Sequence, residues 1–198
     1  PLNEKLRAEG KMPANGVWFW AEGTAVKLPD FKQETGHDGV VVSAVPLCHG
    51  IAALTGLSFV CPEGATGEKD TNYENKLAAA LKILEDHDFV AVHVEAPDEC
   101  THNGDLEGKL EAIGWLDTRL IRPLDAAMRE RGWDYRLLFL SDHKTLTSTR
   151  GHDGDPVPYM LYDSRVDTKA GLPYTEKSGE KGPYVNSGVS LMSILFEK

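Results

Sequence analysis

The sequence predicts an α/β domain with a largely parallel central sheet and flanking helices, and three observations carry that expectation. Short apolar runs bounded by Gly, Pro or Asn alternate with stretches of helical apolar period. One run, 135–140 (YRLLFL), is almost wholly apolar, as are strands buried on both faces of a parallel sheet. Polar clusters follow two of the runs directly, where ligands bind beyond the carboxyl ends of parallel strands.

In chain order, 17–20 (VWFW) follows the turn-like Pro13-Ala14-Asn15-Gly16 and reads as a short buried strand before Gly23. Residues 39–45 (GVVVSAV) are β-branched and form a second strand, with 57–61 (LSFVC) a third. The stretch 72–87 places Leu77, Leu81 and Leu84 on one helical face. Residues 89–94 (FVAVHV) are the next strand and run into the loop 96–105 (APDECTHNGD). Leu106, Leu110, Ile113, Leu120, Leu124 and Met128 then recur at helical spacing, with a kink expected at Pro123. After 135–140 comes a loop over 151–156, a strand over 157–162, a long polar loop over 163–186 and a closing helix over 189–197. No internal repeat or low-complexity tract interrupts this order.

The 198 residues suffice for one domain with a full core. A formal charge of -10 argues against nucleic acid or an anionic membrane surface as partner, since both need clustered Lys and Arg. An acidic chain handles phosphate only through local cations, either metal ions or a few placed side chains. Cys48, Cys61 and Cys100 form no C-x-x-C and no even framework, which fits a reducing, cytoplasmic setting. The start PLNEKLRAEGK carries no secretory pattern, and no apolar run approaches a membrane span. It also lacks an initiator Met, as a processed product or an excised piece of a longer chain would.

Three clusters can carry chemistry: Asp98 with His102, Asp142 with His143, and His152. Carboxylate oxygen with imidazole nitrogen suits Zn, Mn, Fe or Co without sulfur. Two such metals, roughly 3.5–4 Å apart, can clamp a phosphoryl group and supply the positive charge this chain lacks. Against this stand plainer readings: Asp98 as a turn cap, either His as a satisfied loop residue, Cys100 as a small buried side chain. Co-occurrence of the clusters favours metal. His37, His49, His87 and His93 receive no role, and the four Trp residues are assigned to packing. The stretch 63–67 lacks the phosphate-loop spacing, and no G-x-S-x-G elbow exists.

Taken together, 13–23 (PANGVWFWAEG), 64–76 (GATGEKDTNYENK), 93–105 (HVEAPDECTHNGD), Ser141-Asp142-His143 and 151–159 (GHDGDPVPY) resemble the archaeal-type, bisphosphoglycerate-independent phosphoglycerate mutases of the alkaline phosphatase superfamily. The resemblance runs across nearly the whole chain. It implies an alkaline-phosphatase-like fold, two divalent ions (Mn, Zn or Co) and no bisphosphoglycerate cofactor. One ion is expected on Asp98, His102 and His152, the other on Asp142 and His143. Family members use the ions to activate a serine that accepts and returns the phosphoryl group of a small phosphorylated substrate. That serine, a further Asp and an inserted substrate-binding domain belong to an N-terminal part without counterpart here, so 1–198 reads as the C-terminal part of the metal-binding domain, inactive in isolation. None of Ser43, Ser58, Ser141 or Ser148 lies in a matching nucleophile motif. Cys100-Thr101 and Lys144-Thr145-Leu146 depart from the family pattern without removing a ligand. Two alternatives stay open: another phosphatase or phosphotransferase of the superfamily, and a non-catalytic metal-binding module. Oligomeric state is unreadable.

Overall fold

The computed structural model describes residues 1–19, 22–166 and 171–197. Its centre is a three-stranded parallel sheet, β1 (Gly39–Val42), β2 (Ser58–Val60) and β3 (Phe89–Val92), in the order β2-β1-β3. Val42 lies opposite Val60 on one side and Val92 on the other. Parallel neighbours need crossovers, and helices provide them: α3 (Pro46–Leu54) links β1 to β2, and α4 (Tyr73–Ile83) links β2 to β3. Two short helices, α1 (Leu2–Ala8) and α2 (Phe31–Thr35), precede the sheet. Asp30 caps α2 by accepting from the Gln33 amide, and Asn72 caps α4 by accepting from that of Asn75.

All four residues of β1 are buried. A Cβ on Gly39 would come within 2.6 Å of the Phe89 carbonyl oxygen, so only Gly admits β3 this close. Val40, Val42 and Ile83 form the core, with Ala79, Val90 and Val92 packed on it. The buried stripe of α4 is Tyr73, Lys76, Ala80 and Ile83, about a quarter-turn from the Leu77–Leu81–Leu84 face that the sequence suggested. Those leucines are half-buried.

Tyr73 is fully buried, and its hydroxyl has no partner among the described residues. Burial pushes its pKa up to about 12. Removing that hydroxyl surrenders no hydrogen bond, so Tyr73→Phe is expected to raise stability by roughly 1 kcal/mol, read as a higher urea midpoint.

The stretch expected as a loop over 96–105 is instead opened by a helix, α5 (Ala96–His102), with Pro97 in its first turn, where a missing N–H costs nothing. Next come α6 (Leu106–Trp115), a π-helical turn (Leu116–Ile121) and α7 (Arg122–Glu130), with Pro123 in the first turn of α7. The π turn shifts the phase of the apolar stripe. Leu120, Leu124 and Met128 are buried, while Leu106, Leu110 and Ile113 remain exposed, contrary to one continuous buried face.

β4 (Arg136–Leu140) does not join the parallel sheet. It pairs antiparallel with β7 (Tyr159–Asp163), Arg136 opposite Asp163 and Leu140 opposite Tyr159. Its strands are half-buried, with Leu140 exposed, because an apolar run specifies burial and not the direction of its neighbour. A small hairpin, β5 (Lys144–Leu146) and β6 (Gly151–Asp153), replaces the start of the expected 151–156 loop. α8 (Glu176–Gly179) interrupts the polar stretch, of which 167–170 lie outside the described residues, and α9 (Ser190–Phe196) closes the chain. Arg136 holds α9: its guanidinium pairs with Asp163 at 2.7 Å and donates to the carbonyls of Leu195, at 3.0 Å, and Glu197.

The expected strand at 17–20 is absent over its described part. Val17, Trp18 and Phe19 pair with no described strand and are 82%, 84% and 93% exposed; Trp20 lies outside the described residues. Strand-favouring composition cannot form a ladder without a partner. Trp115, by contrast, packs edge-on against Tyr73 as a packing residue should.

Candidate metal centre

The site grows from the end of β3. The His93 amide continues the ladder by donating to the Val42 carbonyl at 2.9 Å, and α5 begins three residues later. Asp98 and His102 are one helical turn apart on α5, so their side chains share a face. His102 Nε2 lies 3.1 Å from Asp98 Oδ2. The β5–β6 hairpin carries His152 to the same carboxylate, with Nε2 3.5 Å from Asp98 Oδ1. The two imidazole Nε2 atoms are 3.1 Å apart.

One carboxylate oxygen and two Nε2 atoms, all within 4.8 Å of one another, make a three-donor group. Two nitrogens on one tetrahedral zinc stand roughly 3.3 Å apart, given Zn–N distances of about 2.0–2.1 Å. The spacing and donor chemistry therefore fit a divalent ion bound by oxygen and nitrogen.

The outer contacts fit as well. His102 Nδ1 lies 2.7 Å from the Arg150 carbonyl oxygen, which can only accept, so Nδ1 donates and Nε2 is the nitrogen that faces the donor group. The Thr145 hydroxyl donates to Asp98 Oδ1 and stands 3.3 Å from His143 Nδ1. Lys109 Nζ donates to the Thr145 carbonyl at 2.8 Å, tying β5 to α6.

Asp142 and His143 sit beside this group. The His143 ring stacks on that of His152 at 3.8 Å between centroids, and His143 Nε2 lies 3.3 Å from Asp142 Oδ2. The Asp142 side chain is 79% exposed. Thus three of the five sequence-derived ligands converge on one point, and the other two form an adjoining pair that offers two donors. Cys100 is buried and outside the donor group.

The electrostatics behind the site are unusual for a protein interior. Lys76, 1% exposed, reaches from α4 to donate to the His93 carbonyl at 3.0 Å, with Thr66 O at 3.5 Å. Burial lowers its pKa. His93 Nδ1 is 3.1 Å from Ser43 Oγ, and burial, then the Lys76 charge, lower its pKa. Glu95 forms a second acidic group with Asp98 and Glu99; burial first, then those two carboxylates, raise its pKa. Sequence reasoning missed Glu95, Lys76, Thr145 and Arg150. Glu95 and Lys76 lie in the stretches 93–105 and 64–76, and Thr145 in the departure from the family pattern just after His143, whereas Arg150 carried no signal.

The fold and the site define an α/β domain of metalloenzyme type. Residues 1–197 match the family described as the Metalloenzyme superfamily, and the chain belongs to it. A probable 2,3-bisphosphoglycerate-independent phosphoglycerate mutase of Geobacter sulfurreducens is 43% identical over 200 residues, covering 100% of this chain and 50% of that protein. The 2,3-bisphosphoglycerate-independent phosphoglycerate mutase of Methanosarcina barkeri is 39% identical, covering 92% of this chain and 46% of its own. A solved structure of a protein from Pyrococcus horikoshii is similar with a TM-score of 0.72 and 28% identity, over 84% of this chain and 50% of that one. The chain spans about half the length of the curated relatives it matches. No helix among the described residues is long and apolar enough to cross a membrane.

Proposed function

We propose that this chain is the metal-binding C-terminal portion of a phosphoglycerate mutase that interconverts 3-phosphoglycerate and 2-phosphoglycerate, a glycolytic step, without bisphosphoglycerate and through a phosphoserine. The observation that carries the reading is the convergence of Asp98, His102 and His152 in a chain whose relatives bear that name. Asp98, His102 and His152 hold one divalent ion; Asp142 and His143 contribute to a second beside it. Such ions supply positive charge to phosphoryl oxygens and lower the pKa of an attacking hydroxyl.

This chain's own residues provide the frame. Thr145 and the Arg150 carbonyl orient Asp98 and His102, and the stacked His143 and His152 rings keep the two ligand groups in contact. Mn, Zn and Co all match oxygen and imidazole donors. The nucleophilic serine is supplied from outside this chain, and three cysteines without a disulfide suit the cytoplasm.

The test is made on a full-length protein containing this chain. It is expected to convert 3-phosphoglycerate without added bisphosphoglycerate, to fall to background in strong chelator, and to recover with Mn²⁺, Zn²⁺ or Co²⁺. Undiminished turnover in chelator would overturn the reading. Hydrolysis of phosphate esters without isomerisation would move the protein to a phosphatase of the same superfamily.

A further inference from the structure

Arg150 is the one described residue other than Gly with a positive φ, at 55°, a conformation that side-chain-bearing residues rarely adopt. It stands in the turn between β5 and β6, its amide donating to the Leu146 carbonyl at 2.8 Å. Left-handed backbone there turns the Arg150 carbonyl toward α5, 2.7 Å from His102 Nδ1.

The side chain meets α5 independently. Gly104 follows the end of that helix with φ 74°, its amide donating to the Thr101 carbonyl at 2.9 Å. The Arg150 guanidinium lies over it so closely that a Cβ on Gly104 would come within 2.4 Å of Cζ. Two left-handed residues, one on each side of the contact, therefore dock the hairpin turn against the end of the helix that carries Asp98 and His102. Backbone strain maintained next to a candidate site is best explained by what the strained group touches. Here it touches a ring nitrogen.

We propose that Arg150 is a positioning residue for His102: its strained carbonyl accepts from Nδ1 and so fixes the ring with Nε2 aimed at Asp98 and His152. The metal arm of the test rests on the proposed site, whereas the tautomer arm does not. A carbonyl accepts and never donates, so no other neutral tautomer satisfies this contact.

The experiment compares wild type, Arg150→Val and Arg150→Gly. Val removes the guanidinium and disfavours the left-handed backbone, whereas Gly removes the guanidinium and keeps that backbone accessible. In the metal-free protein, ¹⁵N NMR of the imidazoles, assigned with His102→Gln, is expected to show His102 protonated on Nδ1 in wild type and Arg150→Gly and a mixed tautomer in Arg150→Val. Co²⁺ titration followed by visible absorption is expected to show Arg150→Val weakened by about 10–100-fold, the range for losing the partner of a ligating imidazole, and Arg150→Gly within a few-fold of wild type. A wild-type tautomer in Arg150→Val overturns the proposal, as does an Arg150→Gly protein as impaired as Arg150→Val. A wild type that binds no Co²⁺ defeats the metal reading, and the tautomer comparison still decides the role of Arg150.

Discussion

Replacing Asp98 by Ala is expected to weaken divalent-metal binding by more than ~100-fold, beyond the usual cost of losing a partner that merely supports a ligand. The reason is its central position. Asp98 alone touches both imidazoles of the three-donor group, through Oδ2 to His102 and Oδ1 to His152, and it is the acceptor of the Thr145 hydroxyl. Without it the two rings have no anionic partner between them, and the hairpin loses one of its ties to α5. The helix itself is expected to survive, because Asp98 makes no capping bond at its N-terminus and Thr101 still donates to the Pro97 carbonyl at 2.7 Å. Equilibrium dialysis with Zn²⁺ or Mn²⁺, beside far-ultraviolet circular dichroism, separates lost ligation from lost fold. Asp98→Asn keeps the volume, removes the charge and is expected to fall between Ala and wild type. Unchanged affinity in Asp98→Ala would show that the ion is held elsewhere.

That the sequence alone singles out Asp98 reflects where a sequence carries physical information. A carboxylate and an imidazole four residues apart are neighbours in a helix, and the pairing is visible in the sequence even though the composition of α5 is that of a loop. Its polar residues concealed the one clear start signal, Pro97. β1, β2 and β3 were legible because β-branched runs lie between breakers. The β5–β6 hairpin was not, since three-residue strands span too little chain to show a period. The partner of β4 and the exposure of Val17, Trp18 and Phe19 depend on neighbours distant in sequence, which composition does not encode. The role of the Arg150 carbonyl was equally hidden, because every residue has a carbonyl and only φ distinguishes this one.

Lys76 offers the largest expected change in stability. Its ammonium is almost wholly buried and faces backbone carbonyls, with His93 O at 3.0 Å and no carboxylate in a salt bridge among the described residues. Lys76→Ala removes a buried aliphatic stem and leaves the His93 carbonyl without its donor, so it is expected to cost roughly 3 kcal/mol. Lys76→Met keeps the stem and sheds a charge that burial disfavours, and it is expected to cost about 1 kcal/mol. The pH dependence distinguishes the charge from the packing. Burial depresses the folded-state pKa below the ordinary 10.5. Between that depressed value and 10.5 the unfolded chain holds a proton that the folded chain has released, so this group makes wild-type stability rise with pH across that window. Tyr73, with its pKa pushed up to about 12, acts in the opposite sense above pH 10, which is why the difference between Lys76→Met and wild type is the quantity to follow. That difference is expected to shift steadily toward wild type as pH rises through the window, read from urea unfolding at successive pH values. A difference that stays flat would mean that the lysine stays charged in the folded protein, held by its two carbonyls strongly enough to offset burial.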